Sequence, residues 1–231
     1  MSKADSAALK NKRLSMLILP TTYFGPISWY RQLNAADTCV IDTQEPFRKR
    51  TFRNRCTIAT PNGAQTLTVP VEHGVLRSEE RGERREISQI LISEHNKWRH
   101  VHWQALETAY GNSPFFDYYV DDIRPFFEPH WEYLFDLNLA IIRKMCELLQ
   151  VETVVMRSDE RGETREERGE GRENSIKPQD CADSSILSPL SSLLSPQKEY
   201  YQVHAHRTGF LPDLSILDLL FNMGNESILY L

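Results

Sequence analysis

The opening of the chain constrains the fold most, because two short apolar runs lie on either side of a helical pattern. Residues 14–19 are mostly apolar, and residues 38–42 form a second run of this kind. Between them, residues 28–36 repeat apolar side chains at helical spacing. Short apolar runs bounded by turn residues are typical of buried strands. Strand, helix and strand within about 30 residues predict a βαβ unit, and therefore an α/β fold.

A hairpin is predicted directly after this unit. Residues 52–59 and 65–71 are strand-like and flank an Asn62-Gly63 pair. Asn-Gly favours the left-handed backbone that a tight hairpin turn requires. Two further short runs, residues 87–93 and 201–204, are additional strand candidates.

The remaining patterns are helical. Apolar residues recur at helical spacing most regularly over residues 132–149, and also over residues 97–109 and 214–222. We therefore predict an α/β fold in which the strand-helix-strand unit and the hairpin form a mixed sheet. A mostly helical C-terminal half follows.

Two charged segments interrupt the pattern, at residues 77–86 and 157–197. Both begin with Arg-Ser, an acidic residue and Glu-Arg-Gly-Glu, and their charged parts contain no apolar residue. Such segments bury too little apolar surface to offset their ordering entropy, so we predict flexible insertions. A docking role for them remains open. We also predict a disordered N-terminus at residues 1–13 and a single domain over residues 14–231.

Charge and hydropathy argue against several classes of partner. The formal net charge is -5, and residues 157–173 hold five Arg against seven acidic residues. We therefore expect no nucleic-acid partner, although the Arg-Gly repeats superficially suggest RNA binding. No apolar run approaches the roughly 20 residues of a membrane span. The N-terminus also lacks the apolar region of a signal peptide. The prediction is a cytoplasmic protein without a membrane span.

Familiar catalytic motifs are missing from the sequence. It has no glycine-rich nucleotide loop, no serine nucleophile elbow and no zinc-protease motif. The histidines lack metal-ligand spacing, and His204 with His206 gives only a two-ligand hint. We expect neither a metal nor a cofactor.

The most unusual stretch is residues 49–55, in which an acidic chain places four basic residues: Lys49, Arg50, Arg53 and Arg55. Guanidinium groups bind phosphate or carboxylate through parallel hydrogen bonds. In a strand, Arg53 and Arg55 would share one face. The stretch comes near the predicted carboxyl ends of the strands, where open α/β sheets bind ligands. We interpret Lys49, Arg53, Asn54 and Arg55 as substrate-binding, with an edge strand that carries exposed charge as the alternative.

Three residues are candidates for a general base. His73 follows the hairpin, His102 lies in an aromatic helical segment, and Asp213 precedes the last predicted helix. Histidine exchanges a proton near neutral pH. Surface or capping roles are the alternative for all three. Tyr23, in the loop after the first strand, is placed near the same predicted crevice.

Two polar residues lie within apolar helical patterns. Asn138 falls among the apolar positions of the longest helix, where a buried amide needs partners. We interpret it as a fold-specifying residue, with a ligand contact as the alternative. Asp218 lies in the middle of the last helix. We expect it to bind substrate or to pair with an arginine of residues 49–55.

Four blocks of the sequence resemble the WbqC-like family: residues 19–30, 49–55, 109–116 and 209–222. Together they span nearly the whole predicted ordered body, and the charged insertions depart from the family's compact form. The resemblance implies a role in O-antigen or other surface-polysaccharide biosynthesis. It also implies aminoacyl transfer, with glycine as the candidate group, to an amino sugar. The matching positions are Tyr23, Lys49, Arg53, Asn54, Arg55, Tyr110, Asp213 and Asp218.

These patterns favour a transferase with small-molecule substrates: a nucleotide- or lipid-linked sugar and an activated amino acid. Arg53 and Arg55 would hold a phosphate or carboxylate, and Asn54 or Lys49 would stabilise the developing oxyanion. One of the three base candidates would remove a proton from the attacking amine, while Tyr110 would contact substrate. The alternative is a non-catalytic binding or scaffold protein, which the missing nucleophile motif and the charged segments favour.

Overall fold

The computed structural model describes residues 14–72, 85–162 and 196–231. Within them the strands are β1 (Leu17–Leu19), β2 (Thr38–Ile41), β3 (Arg55–Thr60), β4 (Gly63–Thr68) and β5 (Val154–Arg157). The α-helices are α1 (Ile27–Asn34), α2 (Trp98–Tyr110), α3 (Phe116–Ile123), α4 (Leu134–Leu148), α5 (Ala205–Thr208) and α6 (Ile216–Met223). Short 3-10 turns occupy Ile87–Gln89, His95–Lys97, Arg124–Phe127, Asp159–Gly162 and Gly224–Tyr230.

A parallel sheet with strand order β1-β2-β5 is built around the first βαβ unit. Leu17 lies opposite Cys39, and Thr38 lies opposite Val154. Helix α1 connects β1 to β2, so the strand-helix-strand prediction is confirmed. β5 was not predicted. It ends at Arg157, the residue at which the predicted second insertion begins, and one 3-10 turn follows.

The predicted hairpin is confirmed as the antiparallel pair β3-β4, a ladder separate from the parallel sheet. Thr60 lies opposite Gly63 at the turn. Gly63 has a φ of +111°, a conformation that side chains with a Cβ rarely adopt, so glycine is required there. Parallel and antiparallel strands followed by a mostly helical C-terminal half confirm the α/β prediction.

Two strand predictions are wrong. Residues 87–93 begin with a 3-10 turn and then form only single bridges, Val71 with Ile92 and Leu91 with Tyr133. Because the partners differ, no continuous ladder develops. Residues 201–204 precede α5 without forming a strand. There the Gln202 side chain exchanges two hydrogen bonds with the backbone of Leu211, in place of a neighbouring strand.

Helix α4 runs through the core and confirms the strongest helical prediction. Its apolar face is fully buried, including Leu134, Ile141, Ile142 and Met145. Asn138 is also fully buried, and its Nδ2 donates to the backbone oxygen of Arg53 at 2.7 Å. This contact fits the predicted fold-specifying role, because it ties the core helix to the basic segment.

Domain organisation remains a prediction. Most of the predicted insertions and the N-terminus at residues 1–13 lie outside the described residues.

Candidate functional site

A basic pocket with a cavity of about 400 Å³ lies between the loop after β2, the hairpin and the turn before α2. Its lining consists of Lys49, Arg50, Asn54, Arg55, Thr68, Val69, Pro70, Val71, Ser93, His95 and Asn96. None of these described lining residues is acidic. Three full positive charges around one cavity favour a negatively charged ligand. We call this cavity the basic pocket.

Backbone hydrogen bonds fix the walls of the basic pocket. Val69 N donates to Asn54 O at 2.8 Å, and Asn54 Nδ2 returns a bond to Val69 O at 3.0 Å. Ser93 N donates to Pro70 O at 2.9 Å, which holds the turn before α2 against the end of the hairpin. The three segments are therefore locked together, and the cavity is largely preformed, as ligand sites usually are.

Two buried polar atoms of the basic pocket residues have no hydrogen-bond partner among the residues that the structure describes. They are Asn54 Oδ1, an acceptor, and Arg55 Nε, a donor. Unpaired buried polar atoms are uncommon in folded proteins, and ligand or catalytic sites are one explanation for them. A ligand that carries an anion and an N–H or O–H group would match this pair.

Two residues that line the basic pocket have left-handed backbone. Arg50 has a φ of +63° and Asn96 of +61°, and Lys97, next to Asn96, has a φ of +49°. Left-handed backbone is uncommon for residues other than glycine. Such conformations collect at ligand and catalytic sites, where the surrounding structure holds them in place.

Arg53 does not belong to the lining, although it stands two residues from Arg55. Residues 51–54 form a turn rather than a strand, so the two arginines do not share a strand face. The Arg53 guanidinium instead forms a buried ion pair with Glu45. Glu45 Oε1 also accepts from Thr21 N at 2.8 Å. This network joins the loop that follows β1 to the loop that follows β2.

The loop of Tyr23 contacts the basic segment through its backbone, but Tyr23 is not among the residues that line the basic pocket. Tyr23 N donates to Phe52 O at 2.8 Å. The Tyr23 hydroxyl lies 2.9 Å from His102 Nδ1, and both side chains are buried. Burial lowers the pKa of His102 to about 4, so the ring is neutral at pH 7. The His102 ring donates a hydrogen bond to the Thr68 backbone, which opposes this shift and places His102 behind the basic pocket wall.

Asp213 lies at the start of α1 rather than in the basic pocket. Its two carboxylate oxygens accept from Ser28 N at 2.8 Å and from Ser28 Oγ at 2.9 Å. A carboxylate at this end of a helix satisfies an otherwise unpaired amide and interacts favourably with the helix dipole. The last helix, α6, is capped by Ser215 instead.

Tyr110 and Asp218 meet in a separate, fully buried network. Tyr110 Oη donates to Asp218 Oδ1 at 2.9 Å, and Tyr200 Oη donates to Asp218 Oδ2 at 2.5 Å. The Tyr110 oxygen also accepts from Ala59 N at 3.1 Å. Burial raises the pKa of Asp218, and the two tyrosine hydrogen bonds oppose the shift. The partners of Asp218 are thus tyrosines, and the expected pairing with an arginine of the basic segment is wrong.

The structure therefore gathers Lys49, Asn54 and Arg55 from the predicted set at one cavity. It adds Arg50, Ser93, His95 and Asn96, of which sequence reasoning had noted only Arg50 as a basic residue. The available signal was the polar run at residues 93–97 directly before a helical pattern. His73 lies outside the described residues.

Within residues 14–72, 85–162 and 196–231, no group of three or more His, Cys, Asp or Glu side chains is arranged to hold a metal ion. No helix in the same ranges is both long and apolar enough to cross a membrane.

Two comparisons with known proteins found similar sequences. An uncharacterized protein of Mycobacterium tuberculosis (strain ATCC 25618 / H37Rv), Rv1507c, is 26% identical over 233 residues, which cover 93% of this chain and 96% of the relative. No solved structure matches the sequence. The WbqC-like protein family matches residues 21–189, a range that includes the loop of Tyr23, the basic segment and the hairpin. The chain belongs to the WbqC-like protein family.

Proposed function

We propose that this protein is a transferase that holds an anionic small-molecule substrate in the basic pocket. Its reaction would be aminoacyl transfer, with glycine as the first candidate, to the amino group of a sugar. The sugar would be nucleotide-linked or lipid-linked, and the product would enter O-antigen or another surface polysaccharide. We place the reaction in the cytoplasm, where activated amino acids and nucleotide sugars are made.

One observation carries the proposal: Lys49, Arg50 and Arg55 surround a cavity whose described lining has no acidic residue. The described part of the chain also contains no carboxylate within ion-pair distance of Arg50 or Arg55. Arg50 and Arg55 therefore have no described counter-charge at the basic pocket, and a bound anion would stabilise them. Phosphate groups of an activated sugar or acyl donor supply that charge, and arginine matches their geometry.

The unpaired Asn54 Oδ1 supports an amine or hydroxyl group in the same ligand. An amino sugar linked to phosphate carries both kinds of group. The family resemblance supports the pathway, since O-antigen units contain acylated amino sugars.

A product assay by mass spectrometry tests the proposal. Purified protein is mixed with uridine diphosphate amino sugars and activated glycine, and the sugar product is followed by mass. We expect a product heavier by one glycyl group and at least about tenfold less of it with Arg55→Ala, because a charge-assisted hydrogen bond contributes more than about 1.4 kcal/mol. Arg143→Ala is the matched control, since Arg143 lies on α4 and its side chain is 49% exposed.

A non-catalytic binding protein is the second candidate, and two observations favour it. His102 is buried against Tyr23, and Asp213 caps α1, so two of the three predicted bases have structural partners. If the protein only binds its ligand, the sugar nucleotide should bind the wild type and bind Arg55→Ala more weakly. It should also be recovered chemically unchanged after incubation with each activated amino acid.

A further inference from the structure

Ser93 and His95 form a polar pair in the basic pocket, and neither residue has been given a role so far. Ser93 Oγ lies within hydrogen-bonding distance of His95 Nδ1, and both residues line the cavity. Ser93 is only 2% exposed, and its amide donates to Pro70 O at 2.9 Å. The hydroxyl is therefore held in place by packing and by the backbone. A hydroxyl bonded to an imidazole nitrogen is the arrangement that activates a serine nucleophile.

The backbone that follows this pair is strained. Asn96 and Lys97 both have left-handed φ angles, +61° and +49°. Each such conformation costs about 1 kcal/mol or more in a residue other than glycine and persists only where the surrounding structure enforces it. An ordinary start to α2 requires neither angle. The strain lies in the turn that carries His95 beside Ser93, and Asn96 itself lines the cavity.

We propose that Ser93 is the nucleophile of an acyl transfer and that His95 is its general base; this inference rests on the proposed function. The donor is an acyl compound R–CO–X in which the leaving group X carries phosphate. Ser93 Oγ attacks the carbonyl carbon while His95 takes the hydroxyl proton. The C–X bond breaks, X leaves with that proton, and an ester between R–CO and Ser93 remains.

The second half returns the enzyme to its first state. The amine of the acceptor attacks the ester carbon, and His95 takes a proton from the nitrogen. The bond between the acyl carbon and Ser93 Oγ breaks, and the oxygen receives the proton from His95. The sum is R–CO–X plus an amine giving an amide plus HX, with no redox step and no further reactant.

The other walls of the basic pocket fit these two steps. Arg50 and Arg55 hold the phosphate of the leaving group, which brings the acyl carbon to Ser93 and stabilises X as it departs. Asn54 Oδ1, an acceptor without a described partner, accepts a hydrogen bond from the attacking amine and orients it. One cavity therefore supplies a nucleophile, a base, an anion site and an amine site.

A fluorophosphonate probe tests the nucleophile without any knowledge of the substrate. The probe bonds through phosphorus to an activated serine oxygen and releases fluoride with the serine proton. We expect intact-protein mass to show one adduct and peptide mapping to place it on Ser93. His95→Gln should slow labelling by about 100-fold or more, the usual contribution of a general base. Ser158→Ala is the control, because the Ser158 hydroxyl bonds to Thr43 rather than to a histidine.

Two results overturn the inference: no adduct on Ser93 in the wild-type protein, or equal labelling rates in wild type and His95→Gln. Both results come from the wild type and His95→Gln, so the test does not require a folded Ser93→Ala variant. Calorimetric titration with uridine diphosphate separates this failure from that of the proposed function. Retained binding without labelling removes Ser93 as nucleophile and leaves the anion pocket intact. Labelling at Ser93 without binding of any anion contradicts the pocket but supports the nucleophile.

Discussion

Replacing Arg53 with alanine is expected to destabilise the fold, whereas the same change at Arg55 is expected to weaken only ligand binding. The two arginines stand two residues apart in one basic segment. In the structure, Arg53 forms an ion pair with Glu45, and the two side chains are 11% and 8% exposed. Arg55 lines the basic pocket instead. Comparing the two alanine variants therefore distinguishes the structural arginine from the ligand-binding one.

The magnitude follows from the burial of the pair. Removing one partner of a buried ion pair costs about 3 to 5 kcal/mol, because the remaining charge is left without compensation. Glu45 keeps one hydrogen bond, from Thr21 N at 2.8 Å. We therefore expect the lower end of that range, about 3 kcal/mol. Arg55→Ala should cost less than about 1 kcal/mol, as is usual for partly exposed side chains without a buried charge partner.

Urea unfolding at pH 7 measures both free energies, and pH adds a second readout. Burial raises the pKa of Glu45, and Arg53 opposes that rise, so Arg53→Ala raises the pKa further. A protonated carboxyl no longer needs the guanidinium. The cost of Arg53→Ala is therefore complete above the variant's raised pKa, and it shrinks as pH falls from that pKa to the lower folded-state pKa of Glu45 in the wild type.

Two controls sharpen the result. The double variant Arg53→Met with Glu45→Leu removes both charges, so its loss should be smaller than the sum of the single losses. A free energy of unfolding for Arg53→Ala within about 0.5 kcal/mol of the wild type would refute the structural role. If Arg53→Ala instead loses anion binding while its free energy of unfolding is unchanged, Arg53 contacts the ligand rather than stabilising the fold.

Three further predictions follow from the other networks. Asp213→Ala should lower the free energy of unfolding by about 1 kcal/mol through loss of the α1 cap, while Asp213→Asn changes it by only a few tenths of that. Tyr200→Phe leaves one oxygen of buried Asp218 without its donor; urea unfolding should show a loss of about 1 to 3 kcal/mol, with unchanged anion binding. The His102 ring should titrate near the lowered pKa of about 4 by nuclear magnetic resonance. Because its folded pKa lies below the unfolded value of about 6.5, its contribution to stability is lost as pH falls from 6.5 toward 4.

The strands and long helices were predictable because their signals are local. Residues 14–19 and 38–42 are apolar runs, and α4 repeats apolar residues over four turns. Each element can be identified from side chains within a few positions of one another. β5 escaped notice because its strand is short and continues directly into the charged segment at Arg157.

The site depends on contacts between distant residues, which local patterns do not encode. Arg53 and Arg55 look alike in sequence, and only the folded loop brings Glu45 to one of them. Asp213 is predicted from sequence to cap the helix beside it, but the residue whose amide it binds, Ser28 in the first turn of α1, lies 185 residues earlier. Ser93 and His95 belong to no recognisable sequence motif. Their position in the basic pocket becomes evident only in the folded structure, where the end of the hairpin packs against them.

A calorimetric titration of uridine diphosphate into the protein tests the central claim, that the basic pocket binds an anionic ligand, most directly. We predict saturable binding to the wild type, weaker by about tenfold or more in Arg55→Ala and unchanged in Arg143→Ala. Raising the salt concentration should weaken the binding, since the contacts are between opposite charges. Equal affinities in wild type and Arg55→Ala, or no binding to the wild type, would contradict it.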